Sequence, residues 1–161
     1  MRLTLLAVGR LRGGPLQALL DDYGKRLGGK GLGGGPLGPL SVKEVEERRS
    51  LPPPALKARE GELLLKALPK DARVVALDET GRSLDSRAFA SLLGRWHDEG
   101  VAETTFVIGG ADGLDEGVRQ RAHLTLSLGA LTWPHMLVRL LLAEQLYRAN
   151  AILQGHPYHR D

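Results

Sequence analysis

ALTWPHMLVRLLLAEQLYRANAILQGHPYHRD (130–161) is the stretch that decides how the rest of this chain is read. Its middle, 134–153, has the length and spacing of a long helix. Met136, Leu137, Val138, Leu140, Leu141, Leu142, Leu146 and Tyr147 make that helix apolar on almost every side. A helix that only covers a sheet needs one apolar stripe, so this one needs burial on a second side as well. The interface of a homodimer would supply it. The tail that follows, HPYHRD (156–161), carries donors, rings and imidazoles where chain ends usually fray. It reads as a segment docked at a site, with Tyr158, His159 and Arg160 facing a substrate.

Working outward, the remaining segments alternate between short apolar runs and helical patterns. RLTLLAV (2–8), LSVKEVEE (40–47), RVVALD (73–78), TTFVIGG (104–110) and HLTLSLGAL (123–131) are the expected strands. Residues 13–27, 52–68, 114–122 and the long 134–153 are expected helices, and 80–100 is expected as a turn followed by a helix. Prolines at 15 and 52–54 sit at helix starts, where a missing N–H is tolerated. This alternation predicts an α/β fold with a mainly parallel sheet flanked by helices. Its 161 residues predict a single domain, 1–161.

Composition narrows the class. Apolar residues make up 42% and charged residues 25%, which leaves ample material for a core. No run approaches the length of a membrane span, and Leu3 to Val8 is too short for a secretion signal. Cysteine is absent, which excludes disulfides, a thiol nucleophile and thiolate metal sites. A cytoplasmic protein with no membrane partner is expected. The net charge is +3, and Arg supplies sixteen of the 22 cations, the better residue for planar phosphate contacts.

Ligands of open α/β sheets bind beyond the carboxyl ends of the strands. LDETG, GGADG and SLGALTWPH fall there. Gly109 and Gly110 allow a backbone to approach a ligand closely. The loop SLGALTWP is small and apolar and suits a flat neutral group such as adenine. There is no G-x-G-x-x-G after the first strand and no Walker lysine, which argues against a nicotinamide dinucleotide fold and against a P-loop. The glycine-rich stretch 28–39 therefore reads as a surface loop. His135 and Arg139 lie one turn apart on one helix face. His135 is in the first turn, where the positive helix end disfavours its cation. His156 and His159 form H-x-x-H, but Pro157 breaks a regular helix through the pair and no third ligand is evident, so no metal is expected.

The terminal run resembles the C-terminal signature of the RlmH (YbeA-like) group of SPOUT RNA methyltransferases. The shared elements are a loop ending in Pro-His, a helix carrying Val-Arg and Glu-Gln-Leu-Tyr-Arg-Ala, and a Tyr-His-Arg close. VVALD followed by TG, VIGGADGL and the opening LTLLAVGRL fall in the same order. The glycine-rich stretch, Gly129 and Trp133 depart from the usual pattern. The resemblance implies a C-terminal deep trefoil knot, a homodimer and S-adenosylmethionine as cofactor. It implies methylation of N3 of a pseudouridine in large-subunit (23S) ribosomal RNA within the assembled ribosome. By the same resemblance the cofactor contacts fall on Leu77, Gly109, Gly110, Gly129, Ala130, Leu131, Thr132, Trp133 and Pro134. His135, Arg139 and His159 become the candidate catalytic residues, with His135 or His159 as base and Arg139 as electrostatic stabiliser. Tyr158 and Arg160 would face RNA. Another RNA such as tRNA, or a non-catalytic ribosome-binding role, remain the alternative readings.

Overall fold

The computed structural model describes residues 1–29 and 34–160. Five strands form one sheet in the order β2-β1-β4-β3-β5, with every neighbouring pair parallel. The strands are β1 (Arg2–Val8), β2 (Leu40–Val45), β3 (Arg73–Ser83), β4 (Glu103–Ile108) and β5 (Leu124–Ser127). The helices are α1 (Gly14–Gly28), α2 (Pro53–Ala67), α3 (Ser86–Asp98), α4 (Glu116–Arg121) and α5 (His135–Leu153). The α/β class and each expected element are present, with ends displaced by a few residues. The part of the glycine-rich stretch at 30–33 lies outside the described residues. Beyond it, Leu37 is fully buried and its N–H donates to Asn150 Oδ1 at 3.1 Å.

Parallel strands covered on both faces read as continuous apolar runs. Their side chains still alternate between two cores. Leu3, Leu5 and Ala7 of β1, Val75 and Leu77 of β3, and Phe106 and Ile108 of β4 face one cluster. There they meet Phe89, Leu93 and Trp96 of α3 and Leu142 and Leu146 of α5. Leu6, Val8, Val74, Ala76 and Val107 face the other way, against Leu64 of α2 and Val118 of α4. The sheet is thus the middle of three layers. Two of the helices begin on carboxylate caps: Asp85 accepts from the Ala88 N–H at 2.7 Å, and Asp115 from the Gly117 N–H at 2.9 Å. Each cap satisfies a donor that the first turn leaves open.

One feature of β3 differs from the expected strand at 73–78 with a turn at 80. Pairing with β5 continues to Ser83, but the register jumps: both Leu77 and Arg82 lie opposite Leu126. Residues 78–81 are therefore extra residues within β3, a bulge whose two ends pair with the same partner. Gly81 permits this bulge. A Cβ there would stand 2.7 Å from backbone atoms of Thr125 and Leu126, closer than real side chains approach. Gly81→Ala is expected to force the two strands apart and cost about 1–3 kcal/mol, the range for overpacking. Urea unfolding of the variant beside wild type measures it.

Candidate functional site

The carboxyl ends of β3, β4 and β5 open onto a cleft of about 410 Å³. Leu77, Gly109, Gly110, Gly129, Leu131, Thr132, Trp133 and His135 all line it. The apolar part comes from the loop after β5, where Leu131 is 70% and Trp133 40% exposed. Large apolar side chains left this open at a cleft mouth are available to a flat ligand. The loop holds its own shape. Ser127 Oγ donates to Gly129 O at 3.0 Å and accepts from Gly129 N at 3.2 Å. Trp133 Nε1 donates to Leu128 O at 3.4 Å. Ala130 and Pro134 belong to the same loop but do not form the wall; Pro134 is the N-cap residue of α5.

The polar part comes from residues that sequence reasoning did not single out. Asp78, Glu79 and Thr80 in the β3 bulge, Asp112 after β4, Lys57 of α2 and Arg119 of α4 also line the cleft. Asp78 accepts from Thr80 N and Oγ1 at 2.9 and 2.6 Å and from Arg119 at 3.3 Å. Burial pushes its carboxyl up, but the Thr80 and Arg119 contacts outweigh this and hold it below its ordinary value. Glu60 lies against Gly110, and burial followed by Asp112 raises it above the usual carboxylate range. The acid at the end of RVVALD was a visible signal for Asp78. Lys57 and Arg119 carried none, since tertiary packing alone brings α2 and α4 to this end of the sheet.

Arg139 corrects an expectation. It was expected to face substrate, yet its side chain is completely buried. It donates to Val8 O at 2.6 Å and Gly9 O at 2.9 Å and is ion-paired to Glu44. Burial lowers its pKa, opposed by Glu44. A guanidinium keeps its charge even so. This placement makes Arg139 the tie between α5 and the ends of β1 and β2 through its two terminal nitrogens, while its Nε is buried without a partner. His135, one turn earlier, does reach the cleft. A Cβ on Gly9 would lie 3.7 Å from its Nε2, so the end of β1 forms its other wall.

The tail is docked, but on the far part of α5. Tyr158 Oη donates to Glu144 at 3.1 Å, its ring meets Tyr147 edge-on at 4.7 Å, and Arg148 lies over it at 5.0 Å. His159 Nδ1 is 3.3 Å from Arg148, and Arg160 is exposed. His135 and Arg148 are separated by about 20 Å of helix at 1.5 Å per residue. The structure therefore brings the cofactor candidates and His135 together, and leaves Tyr158, His159 and Arg160 at the other end of the same helix.

A glycine-lined cleft beyond three parallel strands, walled by a self-bonded apolar loop, lies where α/β sheets bind their ligands. The chain belongs to the SPOUT methyltransferases, matching the family described as "Predicted SPOUT methyltransferase" over residues 1–159. It is 55% identical to the ribosomal RNA large subunit methyltransferase H of Paramagnetospirillum magneticum over 160 residues, 99% of each chain. It is 52% identical to the protein of that name from Dinoroseobacter shibae, again over 99% of each. In fold it is similar to a probable methyltransferase from Bordetella pertussis, with a TM-score of 0.56, 17% identity, and 92% and 96% of the two chains covered. SPOUT methyltransferases use S-adenosylmethionine. The cleft suits it: apolar loop walls for adenine, and carboxylates near a cationic sulfonium and ammonium.

Two measurements follow from this geometry. Glu44→Gln removes the charge opposite a buried guanidinium and is expected to cost about 1–3 kcal/mol in urea unfolding, reduced by the partial exposure of Glu44. His135 has its pKa lowered by burial and then by the Arg139 charge. Its folded value is thus below the unfolded one of about 6.5. The unfolded chain protonates first as pH falls, so stability is full above about pH 7 and declines as pH drops through 6.5. Thermal unfolding across that window should show a shallower decline in His135→Gln than in wild type.

Proposed function

We propose that this protein methylates N3 of a pseudouridine in large-subunit ribosomal RNA within the assembled ribosome. The observation that carries the reading is His135, held neutral at the wall of the cleft where the cofactor candidates converge. The names of the relatives support large-subunit RNA as the substrate. Such a substrate places the protein in the cytoplasm. No helix among the described residues is long and apolar enough to cross a membrane. The knotted C-terminal part is what membership of the family implies.

Leu77, Gly109, Gly110 and the loop 129–134 would hold the cofactor. Bound S-adenosylmethionine supplies a methyl already activated on a sulfonium, so the protein's task is placement and proton removal. The imide N3 of the base carries a proton, and its lone pair is a poor nucleophile until that proton is shared. His135 accepts it at its unprotonated ring nitrogen. Freed of its proton, N3 would have its lone pair available to the methyl group that the bound cofactor would supply. Arg139 acts by holding the Val8 and Gly9 carbonyls, and so Gly9, which borders the His135 ring.

The tail acts on the other subunit of a homodimer. Its distance from the cleft of its own chain supports this, as does the α1–α5 face. There Leu19 is 48% exposed, and Leu140, Leu141 and Trp133 line an open cleft of about 760 Å³. A second copy laid on that face covers it. Tyr158 then stacks on an exposed base and Arg160 meets phosphate.

Tritium transfer from labelled cofactor to purified ribosomes, followed by mass spectrometry of the RNA, tests the reaction; no methyl on a pseudouridine would end the proposal. His135→Ala is expected to lower kcat by about 10²–10⁴-fold with cofactor affinity unchanged in calorimetry. Mixing His135→Ala with His159→Ala protomers rebuilds one complete site per mixed dimer. Activity should return to about a quarter of wild type. No recovery would place the tail in cis.

A further inference from the structure

Beside the methylation cleft, past the carboxyl ends of β1 and β2, lies a second opening of about 690 Å³. Arg10, Arg12 and Arg48 stand around it, exposed by 51, 79 and 78%. All three point at one carboxylate, Glu46, at 3.6, 3.7 and 4.0 Å. Those distances exceed the 2.7–2.9 Å of a charge-assisted hydrogen bond. Three cations therefore share one anion loosely, and their N–H forks stay open. The neighbouring acids do not relieve this. Glu47 binds Arg49 and Arg59 at 3.0 Å each, and Glu44 is taken by Arg139 and the Leu11 N–H.

We propose that Arg10, Arg12 and Arg48 form a phosphate-binding surface for the backbone of the RNA whose base enters the cleft. This rests on the RNA methyltransferase reading above. Planar guanidinium forks match phosphate oxygens in pairs, which a point cation does not. No aromatic residue and only one aliphatic residue, Leu11, lines the opening, so it lacks the apolar anchors of a protein-binding hot spot. Its position also fits. Gly9 borders His135 and Arg10 is the next residue, so a strand presenting a base to His135 carries its phosphates over this rim. Glu46 holds the three side chains spread when no RNA is present, and phosphate displaces it.

The test compares two charge-matched triple variants of the full chain. R10A/R12A/R48A removes the surface. R2A/R95A/R121A removes three arginines at the opposite end of the sheet. The first is expected to raise KM for ribosomes at least tenfold, with cofactor affinity unchanged. It should also reduce the slope of log KM against log salt by roughly 2–3, since each lost phosphate contact removes about 0.7–0.9. R10K/R12K/R48K restores charge but not the fork, and should recover the salt slope with only part of the affinity. Equal effects of both alanine triples, or a KM and slope like wild type in the first, would overturn the surface. A separate arm reads binding of a fluorescein-labelled single-stranded RNA by anisotropy. Loss of that binding in the first triple, in a protein whose wild type leaves ribosomes unmethylated, supports the surface and sinks the ribosomal reaction. Retained binding there overturns the surface alone.

Discussion

The buried guanidinium of Arg139 is the constraint on which the rest of the structure depends. A charge taken wholly out of water must be met by fixed acceptors. Here those acceptors are the last carbonyls of β1 and a carboxylate from β2. The long C-terminal helix is thereby pinned to the two strands farthest from it in sequence. Its first turn, with His135, can then sit only at the carboxyl end of the sheet. The cofactor loop immediately before that turn is placed by the same contacts. An apolar residue at 139 would pack the core as well, yet would leave Val8, Gly9 and Glu44 without a common partner.

This arrangement divides labour along α5. Its beginning lines the cleft through His135, its middle fills the core through Leu142 and Leu146, and its end carries the aromatic and ionic cluster around Tyr158. Burial keeps the imidazole at the first end neutral, while an arginine lies against the one at the other end. The two histidines that sequence alone left as equal candidates are thus unlike in their surroundings. Separation along one helix keeps the tail away from the cleft of its own chain.

The sheet was legible because β1, β3 and β4 are buried on both faces, and such strands must be apolar without interruption. The loop after β5 was legible as a cleft wall because small and apolar residues follow a strand there and lead into Pro-His. Arg139 was misread for a physical reason. Arginine one turn after histidine gives the same pattern whether it faces a ligand or the ends of two distant strands, and only non-local packing separates the cases. Lys57 and Arg119 were invisible for a related reason: they lie on helices whose approach to the cleft depends on the whole sheet. The bulge of β3 at Gly81 was hidden because T-G-R is also an ordinary turn.

Residues 78–81 form a bulge in β3 whose two flanking residues, Leu77 and Arg82, lie opposite a single residue of the neighbouring strand. Asp78 and Thr80 in the bulge also face the cleft. Leu126, the residue opposite both ends of the bulge, lines the same cleft. One position of β5 thus serves both as cleft wall and as the anchor of its pairing with β3.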